Sequence, residues 1–186
     1  MLHPRIDEII QTCGTYGLFA FISSNLIYLP KLQPSSLRLL TGVGVSLSGF
    51  TDDSYGRIHG KRIQPVLDNI NRLYVMAVGA NCLWRPHVIW HRYRFNEPEM
   101  SAARTYFQNR NIGFNPSIAC LNGIDLAMDY YFGERLGVEE RMRIEQDLFT
   151  DYMRDMHQRL KSSNYQCPQW SYLNIDEEGN LLLCCG

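Results

Sequence analysis

The stretch "LFAFISSNLIYLPKLQPSSLRLLTGVGVSLSG" (residues 18–49) decides the fold. Residues 18–25, "LFAFISSN", are short and nearly all apolar, the pattern of a strand covered on both faces. "PSSLRLL" (34–40) follows as a short helix, with Ser35 or Ser36 as its expected N-cap. "VGVSLSG" (43–49) is a second buried strand. Two short apolar strands with a helix between them form a β-α-β unit, and such units build parallel sheets.

The alternation continues outward. "HPRIDEIIQTCGTYG" (3–17) places Ile6, Ile9, Ile10 and Cys13 on one helical stripe and stops at glycine. A long apolar helix is predicted in residues 62–83, with Pro65 in its first turn. "HVIWHRYRF" (87–95) reads as the third strand, residues 98–113 as another helix, and "FNPSIAC" (114–120) as a fourth strand weakened by Pro116. The order is α, then β-α-β-α-β-α-β, which predicts an α/β fold with a parallel sheet. A series that opens on a helix leads one to expect further elements before residue 1. Residues 137–163 predict one charged amphipathic helix with an apolar side at Met142, Leu148, Tyr152, Met156 and Leu160.

Composition narrows the function classes. The chain has 186 residues, 45% hydrophobic and 20% charged, ordinary for one soluble globular domain. A net charge of -1 gives no electrostatic footprint for nucleic acid or an anionic membrane. No apolar run reaches the roughly 18 residues of a transmembrane helix. The N-terminus lacks the layout of a signal peptide. A cytoplasmic location is the expectation, with the six cysteines reduced, buried or metal-bound.

Three of those cysteines lie at the far end. In "CPQWSYLNIDEEGNLLLCC" (167–185) the middle reads as a β-hairpin with an acidic, glycine-containing turn. A hairpin brings its ends together, so Cys167 and Cys184 could face one zinc ion or iron–sulfur cluster. The alternative is a pair of cysteines packed as small hydrophobes beneath the hairpin. Spacing alone leaves both open.

With these residues in view, the sequence resembles the radical SAM enzymes that carry a SPASM extension. That extension opens with Cys, nine to fifteen residues, Gly, four residues and Cys; Cys167, Gly179 and Cys184 fit it. Upstream, "MLHPRIDEII" resembles the segment after the family's GGEP motif. "ISSN" (22–25) resembles the end of its third strand, "SLSGFTDDSYGRIHGKRIQPVLDNI" (46–70) the fourth strand and following helix, and "HVIWHRYRFNEPEM" (87–100) the fifth strand. The resemblance implies a partial (β/α) TIM-type radical SAM barrel in residues 1–120, a helical connection in 121–163, and the start of a SPASM-type auxiliary iron–sulfur region in 164–186. It implies a parent enzyme that uses S-adenosylmethionine to generate a 5'-deoxyadenosyl radical for modification of a substrate, peptide or small molecule. It implies an auxiliary 4Fe-4S cluster with Cys167, Cys184 and Cys185 as an incomplete ligand set. Two departures stand against activity in this chain. The CxxxCxxC motif that holds the radical-generating cluster is absent, as is GGEP. The other reading is therefore a non-catalytic truncated or accessory half-barrel that binds a metal, a cluster or nothing. Its open strand edges would invite a complementary half-barrel or self-association.

Candidate cofactor-binding residues follow from the resemblance. Ser46 and Ser48 close the fourth-strand match, Ser48 where many relatives have Asp. Asn25 closes the preceding strand and reads equally as a turn asparagine. His59 and Arg57 fall where relatives place a basic residue toward the cofactor carboxylate, and a solvated loop charge is the alternative. In the strand at 87–95, His91 and Tyr93 share one face and Trp90 and Arg92 the other. Cys13, Cys82 and Cys120 are expected in the core, and Asp125 and Asp129 carry no specific signal.

Overall fold

The computed structural model describes residues 4–121, 124–133, 135–152, 174–175 and 181–182. Within it the chain divides into two units, Met1–Arg92 with Asn96–Ser117, and Tyr93–Phe95 with Ile118–Gly186.

The first unit is built from α1 (Ile6–Thr15), β1 (Ala20–Ser24), α2 (Pro34–Leu39), β2 (Leu40–Leu47), α3 (Asp52–His59), α4 (Gln64–Gly79), β3 (His87–Arg92), a 3-10 turn (Arg94–Glu99), α5 (Met100–Gln108) and β4 (Gly113–Ile118). The four strands lie in chain order, β1-β2-β3-β4, all parallel, in a sheet that does not close. This is the α/β class the alternation predicts, an unclosed run of β/α units.

Register assigns every side chain to a face. Ile22 lies beside Val43, Val45 beside Val88, and Leu47 beside Trp90. This face is the core: it packs with Val66, Leu67, Ile70, Leu73 and Ala77 of α4 and Ala103 and Phe107 of α5, all buried. The opposite face runs Phe21–Gly42, Ser23–Gly44–His87 and Ser46–Ile89. Here Phe21 is 52% exposed. The expectation that residues 18–25 form a strand covered on both faces is thus corrected. Leu18, Phe19 and Phe21 are exposed, while Ile22 carries the packing.

The open face is floored by glycine. Phe21 and His87, from the strands on either side of β2, bring their rings to 5.6 Å. A Cβ on Gly44 would stand 2.8 Å from Ile89 Cδ1 and 3.0 Å from Phe21 Cζ. Only a residue without a side chain lets neighbours lean across the middle strand this way.

Three local expectations are also revised. Pro34 begins α2 at its first position with Gln33 before it, so neither Ser35 nor Ser36 is the cap; Ser36 is buried instead. Residues 46–70, matched only to a strand and one following helix, reach two helices, residues 52–59 forming one of their own. The helix predicted for 137–163 is interrupted: α7 (Val138–Asp147) ends where Leu148 turns extended and buries its side chain, residues 150–152 are helical again, and 153–163 lie outside the described residues.

The second unit holds α6 (Ile124–Phe132), α7, and an antiparallel pair, β5 (Asn174–Ile175) and β6 (Leu181–Leu182). Arg141 donates to the carbonyls of Asp129, Tyr130 and Gly133, closing the end of α6. The pairing of Asn174 with Leu182 and Ile175 with Leu181 is the hairpin expected between Cys167 and Cys184. No helix among the described residues is long and apolar enough to cross a membrane.

Candidate functional site

Parallel sheets place their chemistry beyond the carboxyl ends of the strands. At that end of β2 and β3 one side chain, Asn96, joins both. Its amide nitrogen donates to the carbonyl of Ser48 at 2.7 Å and to that of His91 at 2.9 Å. Asn96 is fully buried. It stitches two strand ends that have no ladder of their own past Leu47 and Trp90.

A second clamp holds the helix that leaves β2. Thr51 caps α3 in a reciprocal box with Ser54. Glu99, from the 3-10 turn, then accepts from Phe50 N at 2.7 Å, Ser54 Oγ at 2.6 Å and Thr51 Oγ1 at 2.8 Å. Gly49 makes this possible, since a Cβ there would strike Ser54 and the backbone of Tyr55. At the other end of α3, Gly60 takes the left-handed conformation (φ 61°) and ends the helix at His59.

The clamps gather four polar side chains. Tyr55 and His59 stack with ring centroids 4.4 Å apart. His59 lies within electrostatic reach of His91, and burial followed by that neighbour pushes its pKa down. Burial alone lowers His91. Both imidazoles are thereby held neutral at neutral pH. The Tyr55 hydroxyl is buried and its pKa pushed up to about 12 by desolvation. Neither it nor the buried Ser48 Oγ has a hydrogen-bond partner among the described residues. These hydroxyls and neutral imidazoles can donate or accept hydrogen bonds, and they offer no fixed positive charge.

The sequence-predicted residues fare differently. Ser46 is half-buried on the open face beside Ile89, and Ser48, two residues on, is buried at the strand end. Asn25 accepts from Ile27 N at 3.4 Å, forming a turn beside Ser24, which accepts from Leu26 N. Leu26, buried in that turn at φ 52°, is held there by Asn69 of α4, which donates to the carbonyls of Leu26 and Ile27. Arg57 is exposed. His91 faces away from buried Trp90, as alternation predicts. Cys82 is buried and Cys13 half-buried, but Cys120 is exposed, against expectation, just past the last residue of β4. Cys167, Cys184 and Cys185 lie outside the described residues. Asn96 and Glu99 were not singled out from sequence; the segment offered only the start of the helix predicted for 98–113, and apart from His91, five residues from Asn96, their partners lie 45 to 49 residues away.

A radical-generating cluster needs three thiolates in one loop. Cys13 lies in α1, Cys82 between α4 and β3, and Cys120 after β4, and among the described residues no group of three His, Cys, Asp or Glu could hold a metal ion. The described residues do not fit that group.

No protein-family model matches the chain, and no curated protein matches it. Among solved structures it is similar to a domain of pyruvate-formate lyase-activating enzyme from Bacteroides vulgatus ATCC 8482. That similarity has 15% identity and a TM-score of 0.46, over 80% of this chain and 86% of that one. At that score and identity, no residue role and no activity transfers from it.

Proposed function

We propose that the chain is a radical SAM/SPASM-type protein that works by binding rather than by generating a radical. The parent enzyme of such a chain would use S-adenosylmethionine to form a 5'-deoxyadenosyl radical for modification of a substrate such as a peptide. This chain has no loop to hold the cluster for that step. Its own contribution is a polar niche of Ser46, Ser48, Tyr55, His59 and His91 at the strand ends, and a zinc ion or iron–sulfur cluster on Cys167, Cys184 and Cys185.

The observation that carries the reading is the order of parts. A parallel β/α run is followed by a hairpin that pairs antiparallel in the interval between Cys167 and Cys184. Thiolates suit both zinc and iron–sulfur, and the protein fixes which by ligand count.

The test is anaerobic reconstitution of the full chain with iron and sulfide, or with zinc, followed by metal analysis and absorption spectroscopy. One metal centre per chain, lost in Cys167→Ser and Cys184→Ser, is expected, with no 5'-deoxyadenosine formed from S-adenosylmethionine. Failure to retain metal would overturn the metal-binding reading. Formation of 5'-deoxyadenosine by the reduced chain alone would overturn the non-catalytic one.

A further inference from the structure

β2 ends at Leu47 and α3 begins at Asp52, so residues 48–51 carry the chain from strand to helix. One segment, distant in sequence, holds this connection at both ends. Asn96 donates to the carbonyl of Ser48, and three residues later Glu99 accepts from Phe50 N and Thr51 Oγ1. Between the two lies Pro98, whose ring restricts its own backbone. Gly49, between the held positions, has no room for a Cβ. The Asn96 amide also donates to the carbonyl of His91, at the end of β3. The β2–β3 register ends at Leu47 and Trp90, so past that point a buried side chain does the work of a ladder.

We infer that Asn96 and Glu99 are positioning residues that act as one latch, setting Ser48 and α3, with its Tyr55 and His59, against His91. The inference rests on the strand-end reading of the site and not on the family reading. Asn96 ties the end of β2 to the end of β3, and Glu99 ties the first turn of α3 to the same segment. α3 has eight residues and so spans about 12 Å. A tilt of about 10° at its first turn therefore carries His59, its last residue, about 2 Å, enough to spoil a preorganised site. Loss of either contact frees residues 48–50, and the other contact then holds a segment that is already loose. The two residues are for that reason not independent.

A double-mutant cycle in the full chain, Asn96→Ala, Glu99→Ala and both, tests this by urea denaturation and by NMR of the histidine rings. Each single variant should lower the folding constant at least about 10-fold. The double variant should fall short of the product of the two losses by at least about 10-fold. In the parent, His91→Gln should raise the His59 titration midpoint, because His91 opposes a charge there. In either alanine variant that response should drop below half, with the amides of α4 still protected, and Glu99→Gln should restore most of it. If the double alanine variant does not fold, Asn96→Ser with Glu99→Gln supplies a milder cycle. Losses that simply multiply overturn the latch, as does a His59 that ignores His91→Gln in the parent or responds fully in both alanine variants. Loss of α4 protection together with the response would mean general loosening and overturns it as well. Neither readout needs a ligand, so the latch can stand in a chain whose strand ends bind nothing.

Discussion

Glu99 is the side chain whose removal most directly tests how this strand end is assembled. It accepts three hydrogen bonds of 2.6 to 2.8 Å, from Phe50 N, Thr51 Oγ1 and Ser54 Oγ, at the first turn of α3. Hydrogen bonds to a charged group are each worth about 1.5–3 kcal/mol when made, and a carboxylate at a helix N-terminus adds about 0.3–1 kcal/mol. These do not sum, because the Thr51–Ser54 box survives in the variant and exposed Thr51 regains water. The deficit falls on the half-buried Phe50 amide and on buried Ser54. Glu99→Ala is therefore expected to lower stability by about 2–3 kcal/mol, and Glu99→Gln, which keeps one acceptor, by about 1–2 kcal/mol. Urea denaturation followed by tryptophan fluorescence measures the loss. Hydrogen exchange should show the Phe50 amide losing protection while α4 keeps its own. A Glu99→Ala variant within about 0.5 kcal/mol of the parent, with Phe50 still protected, would refute the clamp.

Other positions give sharper signs. Gly44→Val puts a branched side chain beneath Phe21 and Ile89 and is expected to cost about 1–3 kcal/mol in a urea melt; an unchanged midpoint would mean the two side chains part freely. Tyr55→Phe removes a hydroxyl that has no partner among the described residues, so stability should hold or rise by up to about 1 kcal/mol; a clear loss would show that the hydroxyl is bonded after all. His59 and His91 both titrate below the ordinary histidine range. The unfolded chain then binds protons first, so stability is full above about pH 6.5 and falls as pH drops from there toward the lowered folded-state values. The urea midpoint should decline between pH 7.5 and 5.5, and His91→Gln should flatten that decline; a midpoint rising on acidification would contradict the burial of the pair.

What the sequence made legible was whatever depends on neighbours in the chain. The strand–helix alternation from residue 18 onward, the opposite faces of Trp90 and His91, and the hairpin before Cys184 all follow from period and turn chemistry. What it concealed depends on distance. The 18–25 run is nearly all apolar, and composition does not say that Phe21 stays half exposed beside His87 while Ile22 meets the core. Leu148 continues a helical stripe but leaves the helix because its side chain finds a better place in the second unit's apolar cluster. Asn96 and Glu99 are invisible for the same reason: a polar residue that bonds backbone some 45 residues away has no local signature. Of the side chains gathered at the strand ends, Ser46, Ser48 and His59 were candidates from sequence; His91 read there as a core histidine, and Tyr55 was not singled out because a helical tyrosine has no local signature of its surroundings.

The carboxylate of Glu99 has a consequence for ligand choice. Helices that follow parallel strands commonly present their free amides and positive pole to phosphate. In α3 that pole is already answered from within by Glu99, Thr51 and Ser54. The strand end is therefore electrically quiet, with neutral imidazoles and hydroxyls that lack partners among the described residues in place of an anion cradle. If the strand ends take a ligand as proposed, hydroxyl or amide groups suit them and phosphate does not, which binding of a polar ligand and its phosphorylated analogue to the full chain would measure.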